Sequence, residues 1–248
     1  MTGQAAKSAK RAFDIYELFS DSAESLSVSH VARALDYPAS STSVLLKELC
    51  RAGYLIQDPQ TRHYRLSPRM ALASARIFAS RPFERRVVEM VDSIHAETGE
   101  EVMLAVQCGV EVQYVHLRRA TLPFPSQHRP GSMRPICRTS VGKILLANKR
   151  EDEIGRLVRR INAFAETPQV ALPALMAELR KARDSQLAAA FEEATPGAAG
   201  LAVSLPVPAG QPAVALAICG MPERIRQRRD LLTAILRRCR ETARAVSR

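Results

Sequence analysis

The amino-acid sequence predicts an α+β chain with an N-terminal winged helix-turn-helix, a linker helix, and a C-terminal domain in which helices pack on an antiparallel sheet. Three observations predict it. Three short stretches of helical periodicity are followed, just after Gly53, by two strand-like runs with a tight connection. Two proline breaks, Ser67-Pro68 and Arg81-Pro82, bracket one further helical stretch. Beyond Val102 the apolar period changes from helical to alternating, with hairpins early and late and helical segments between them. The implied boundaries are 1–67, 68–80 and 81–248, in a chain whose 248 residues suffice for one large domain or two of ordinary size.

Ala12, Ile15, Tyr16 and Phe19 fall at the i, i+3, i+4, i+7 spacing of one helix face, which predicts a first helix over 9–19. The polar run from Asp21 to Ser25 ends it. Ser27 is placed to cap a short second helix whose Val31, Ala32 and Leu35 point inward and which stops at Asp36-Tyr37, ahead of Pro38. A third helix opens after Pro38, buries Leu45, Leu46 and Leu49, and terminates at Gly53. Tyr54 to Gln57 and His63 to Leu66 then read as two strands joined through Asp58-Pro59-Gln60-Thr61.

In a winged helix the N-terminal residues of the third helix lie nearest the base edges. Hydroxyl groups suit that place because each both donates and accepts and leaves room for close approach. The candidate DNA contacts are therefore Ser40, Ser41, Thr42 and Ser43, followed along the helix by Lys47 and Arg51. Arg62 at the wing tip and Arg65 on the second wing strand extend the set, and Lys7, Lys10 and Arg11 form a basic arm ahead of the first helix.

In the second half, Pro68 opens a connecting helix whose Met70, Leu72, Ala73, Ile77 and Phe78 make an apolar side. Phe83, Val87, Met90, Val91 and Ile94 share one face of the next helix, which runs to Gly99. Residues 102–106 and 112–117 read as a hairpin, and 201–207 and 213–219 as another across the turn from Pro208 to Pro212. Helices are predicted near 140–147, 151–161 and 172–185, with a closing helix from Glu223 to about Val246.

The formal net charge of +11 favours a polyanionic partner. Because 1–80 carries +3 of it and 81–248 carries +8, the case for DNA rests on the pattern near the N-terminus and not on total charge. The nine Arg and three acids of 223–248 read as the solvated face of an amphipathic helix. No run approaches the roughly 18 apolar residues needed to cross a bilayer. Residues 1–7 lack the apolar core of a secretion signal, so a cytoplasmic location is expected, with no membrane partner. Cysteines 50, 108, 137, 219 and 239 are odd in number and form no C-x-x-C pair, which argues against a disulfide framework or a structural zinc site. The five histidines show no ligand spacing, and neither metal nor cofactor is expected.

The stretch Arg134-Pro135-Ile136-Cys137-Arg138-Thr139-Ser140-Val141-Gly142-Lys143-Ile144-Leu145-Leu146-Ala147 resembles the isocitrate-lyase-regulator (IclR) family of bacterial transcription factors. The resemblance spans nearly the whole chain through Pro38-Ala39-Ser40-Ser41 before Leu45-Leu46, Gly53-Tyr54, Tyr64-Arg65-Leu66, and Glu192-Glu193 to Gly197. It implies a DNA reader, a linker helix, and a GAF-like domain that binds a small-molecule effector. It further implies a homodimer, often assembled into a homotetramer, acting on a double-stranded DNA operator. Ser41 stands where the family often has Thr, and Val44 where Arg is common.

In relatives that bind small polar acids, backbone amides just before the Gly-Lys pair hold the carboxylate. Here these would come from Ser140 and Val141, beside Arg138 and Thr139, at a helix N-terminus whose dipole suits an anion. The aspartate, cysteine and two serines of those relatives correspond to Ala190, Gly200, Ala217 and Cys219. Loss of the polar set predicts a wider, less polar pocket for an aromatic or other weakly polar carboxylate.

Two other readings stand beside this one. Cys137, near a helix start with Arg134 and Arg138 close by, would be an activated thiolate, making the chain a thiol-based redox sensor through Cys137 or Cys219; a buried inert cysteine is the plainer reading. A small-molecule-modifying enzyme would need a polar constellation that the aligned positions lack. His116 and His128 could partner Cys137, but no Asp or Asn orienter accompanies them. Gly142-Lys143 lacks the earlier glycine and following Ser/Thr of a phosphate-binding loop, so no catalytic residue is expected.

Overall fold

A computed structural model describes residues 2–22, 24–124, 128–164 and 169–247, and the chain divides into two compact units, Met1–Ser80 and Arg81–Arg248.

The first unit contains helices α1 (Thr2–Asp21), α2 (Val28–Leu35) and α3 (Ala39–Arg51), a hairpin of β1 (Leu55–Gln57) and β2 (Tyr64–Leu66), and helix α4 (Pro68–Ser80). Local chemistry sets the turns. The Ser27 hydroxyl accepts from the His30 amide to cap α2, and Asp36 closes that helix in a left-handed conformation. After α3, Gly53 takes φ +78, which lets the Tyr54 amide return to the Leu49 carbonyl at 2.9 Å. Ile15, Phe19, Val31, Leu46, Leu55 and Tyr64 form the core, with Leu45 and Leu49 only half-buried at its edge. α1 begins well before residue 9, because Ala5, Ala6, Lys7 and Ala9 are strong helix formers that a test for apolar periodicity does not register. Leu72 on α4 is 63% exposed, while the side chains of Ile77 and Phe78 lie outside the described residues.

The second unit opens with α5 (Pro82–Thr98), β3 (Glu101–Cys108), β4 (Glu111–Arg118) and β5 (Met133–Pro135). Three helices follow, α6 (Ser140–Ala147), α7 (Glu151–Asn162) and α8 (Leu172–Ser185). The chain then forms β6 (Ala188–Phe191), β7 (Ala199–Leu205), β8 (Val214–Gly220), α9 (Pro222–Gln227) and α10 (Arg229–Val246). Six antiparallel strands make one sheet in the order β5-β4-β3-β8-β7-β6. Alternation sends Leu201, Val203, Leu216 and Ile218 to a core under α5, α9 and α10, and Met103, Ala202, Ala215 and Ala217 to a second core under α6, α7 and α8. β5 and β6 were not foreseen; they are three and four residues long, and the Ala-rich β6 has no polar-apolar contrast to read.

The expected closing helix is broken at Arg228. The break is stapled by Glu100, which is fully buried and receives hydrogen bonds from Arg224 at 2.6 and 2.7 Å and from Arg228 at 3.3 Å.

Candidate DNA-reading face and effector cavity

On α3, Ser40, Lys47 and Arg51 are exposed and Ser43 is half-buried, while Val44 stands 62% exposed among them. Thr42 does not belong to this face. It is 2% exposed and donates to the Pro38 carbonyl at 3.0 Å, because consecutive residues turn about 100° around a helix and four hydroxyls in a row cannot point one way. Ser41 is half-buried and also donates to the Pro38 carbonyl. Arg51 pairs with Glu48.

At the wing, Arg62 is exposed with φ 59, and its amide donates to the Asp58 carbonyl at 3.0 Å. The Asp58 carboxylate accepts the amides of Thr61 and Gln60, which holds its pKa below the ordinary range and fixes the tip. Arg65 is exposed beside buried Tyr64.

Lys7, Lys10 and Arg11 do not form an arm ahead of the first helix; they are part of α1. Lys10 is paired with Asp14 at 2.9 Å, and the Arg11 guanidinium stacks 4.8 Å over the Tyr37 ring. Lys7 and Arg11 instead border a groove with Ser41 and Val44 of α3.

In the second unit a hollow of about 410 Å³, counting the space at its mouth, opens at the start of α6. The sheet register builds its floor: Ala190 on β6 faces Gly200 on β7, Gly200 faces Cys219 on β8, and Cys219 faces Glu101 on β3. Arg138, Thr139, Ser140 and Val141 also line it, as do Met103, Tyr114, His128 and the rim residues Glu192, Glu193 and Thr195. Ala217 is not part of the lining. It belongs to the next row inward, opposite Ala202 and Met103, and is fully buried in the core. A Cβ at Gly200 would lie 2.8 Å from both the Cys219 sulfur and the Ser140 hydroxyl, so glycine keeps this space open.

The Thr139 side chain caps α6 by accepting from the Gly142 amide at 3.1 Å, and its carbonyl accepts from Lys143. The amides of Ser140 and Val141, first and second in the helix, have no acceptor among the described residues. Lys143, with its side chain 4% exposed, is held at 2.6 Å by Glu178 of α8 and at 2.6 Å by Glu193 of the rim.

At the β3–β4 side of the cavity, buried Glu101 meets buried His128 at 2.7 Å, and the His128 ring stands edge-on to Tyr114 with centroids 5.1 Å apart. Tyr114 is 3% exposed, burial pushes its phenol pKa up, and no described residue hydrogen-bonds its hydroxyl. The lining is therefore more polar than the aligned positions imply. Tyr114 was legible as an inward position of a strand, whereas His128 sits in a loop that carries no sequence signal. Burial pushes the Cys137 thiol up to about 11 against the opposing pull of Arg138 and Lys143, and burial likewise raises that of Cys219. A redox-sensing thiol needs the opposite shift.

Among the described residues no group of three His, Cys, Asp or Glu is placed to hold a metal, and no helix is long and apolar enough to cross a membrane.

A winged helix-turn-helix followed by a helix and an α+β unit with an anion-suited cavity defines a DNA-binding regulator with an effector-binding domain. Residues 8–59 match the IclR helix-turn-helix domain, and residues 78–248 match the family described as bacterial transcriptional regulator IclR C-terminal. The chain belongs to the IclR family of bacterial transcriptional regulators.

It is 26% identical over 199 residues to the HTH-type transcriptional regulator XynR of Escherichia coli, covering 79% of each chain. It is 29% identical over 213 residues to the probable transcriptional regulator SauR of Cupriavidus necator, covering 84% of this chain and 82% of that one. The fold is similar to the crystal structure of Thermotoga maritima IclR, with TM-score 0.70 and 21% identity over 98% of this chain and 100% of that one. Its relatives are named as transcriptional regulators or repressors, and the chain is a transcriptional regulator and not an enzyme.

Proposed function

We propose that this regulator grips a partly palindromic operator as a homodimer, which can pair into a homotetramer, and that a carboxylate effector in the α6 cavity changes the grip. On the DNA side the reading is supported by exposed Ser40, Lys47, Arg51, Arg62 and Arg65 with half-buried Ser43 beside them, whose cations suit phosphates and whose hydroxyls suit base edges. Dimerisation is supported by large apolar side chains left open in the first unit, Phe13 at 67% and Leu72 at 63% exposure. Two-fold symmetry in the protein then asks for two-fold symmetry in the operator.

The observation that carries the effector reading is the pair of unpartnered amides of Ser140 and Val141 at a hollow that Arg138 also lines. A weakly polar or aromatic body would lie along Ala190, Gly200 and Met103. The effector acts by binding the two arrangements of the dimer with unequal affinity.

A gel shift on the DNA upstream of the protein's own gene and of its divergent neighbour, repeated with aromatic acids, tests both parts. Retardation that an aromatic acid alters is expected. No retardation at low salt would overturn the operator reading, and thermal stabilisation by glyoxylate-sized acids alone would overturn the effector class.

A further inference from the structure

Val44 sits where neither the core nor the helix asks for a valine. Ser40, Val44, Lys47 and Arg51 follow one another at steps of four, three and four residues, which lines them up along one face of α3. At about 100° per residue Val44 stands about 160° round the helix from fully buried Leu46, in the middle of the face opposite the core. It is 62% exposed. Branching at Cβ makes valine a weaker helix former than alanine or leucine, so the second turn of α3 gains nothing from it.

The neighbours on that face say what covers it. A second copy of the chain is a poor cover, because a two-fold contact would set Lys47 and Arg51 against their own counterparts. Duplex DNA carries the complementary charge, and in its major groove the edge of thymine presents a methyl group. A groove between α1 and α3, bordered by Lys7, Arg11, Ser41 and Val44, leaves the valine open to such an approach.

We infer that Val44 reads a thymine methyl in each half of the operator, with Lys47 and Arg51 on the flanking phosphates. This rests on the reading of α3 as the helix that enters the major groove, and deepens it by naming a base. Adenine and guanine present a ring nitrogen and an amino or carbonyl group at that edge, which an aliphatic side chain leaves without a partner, and cytosine has no methyl.

The test uses the full-length protein. Sites that it selects from a random duplex library are expected to hold a fixed thymine at equivalent positions of the two halves. Each thymine of the selected site is then replaced in turn by deoxyuridine, which lacks only the methyl. At one position per half the replacement is expected to weaken binding about fourfold, and by about tenfold or more when both halves are replaced. Val44→Ala should shrink the penalty for both halves to within about twofold, whereas Val44→Ile, which keeps the aliphatic branch, should retain it. A melting curve confirms that the variants are folded.

The two ways of failing are distinct. If the library yields no enriched site, the operator reading falls and the proposal with it. If a site is enriched and bound but no thymine methyl matters, or the penalty survives Val44→Ala, the role of Val44 falls and the DNA reading stands.

Discussion

Gly142 has no room for a methyl group: a Cβ there would lie 1.9 Å from the Ile136 carbonyl oxygen, a backbone atom that cannot step aside. Gly142→Ala is expected to destabilise the protein by about 3 kcal/mol or more, measured by denaturant unfolding. Cys137 gives a pH dependence of definite sign. Burial holds its thiol at about 11 against an ordinary 9.0, so between those values the unfolded chain gives up a proton that the folded chain keeps. Stability is therefore fully present below about pH 9, falls as the pH rises, and levels above about 11, with a loss of at most about 3 kcal/mol. The checking measurement is the difference between wild-type and Cys137→Ala unfolding across that range; a difference flat with pH contradicts it. At Thr42 the inward direction was legible, since it lies four residues before buried Leu46 and shares its face.

At the scale of elements, the caps and wing were readable because their causes are local: a serine before a helix, a glycine after one, a turn of Asp, Pro and Thr. The cavity was readable in part only through the family resemblance, since the Ala-rich β6 carries no strand signal of its own. Ala190, Gly200 and Cys219 stand in one row across three strands, and strand parity puts all of them on one face. What parity cannot supply is register, which depends on long-range pairing. Ala217 has the parity of Cys219 and still lies one row deeper. Tyr114 and His128 were missed as cavity residues for the same reason, because their place depends on β4 pairing with β3 and on where a loop returns. The clamp at Glu100 is also non-local, tying the start of β3 to the break between α9 and α10. Glu100→Ala strands two partly buried arginines and is expected to cost about 3 kcal/mol, read as a lowered denaturation midpoint of the second unit.

At the scale of the whole molecule, the proposed dimer and its hold on DNA can be tested apart. Leu72→Asp should shift the sedimenting species toward monomer and weaken operator binding with it. Lys47→Ala should leave the assembly unchanged while lowering the slope of log affinity against log salt by about 1, as expected for one lost phosphate contact. An unchanged slope would remove Lys47 from the interface. One feature of the effector-binding unit also bears on timing. The Lys143 ammonium ties the cavity rim to α8 through Glu193 and Glu178, whose side chains are 38% and 51% exposed. It works as a drawstring, and its knots sit where dissolved ions can reach them. Rising ionic strength loosens such knots, so a captured solute should escape faster from this regulator in brine than in dilute buffer.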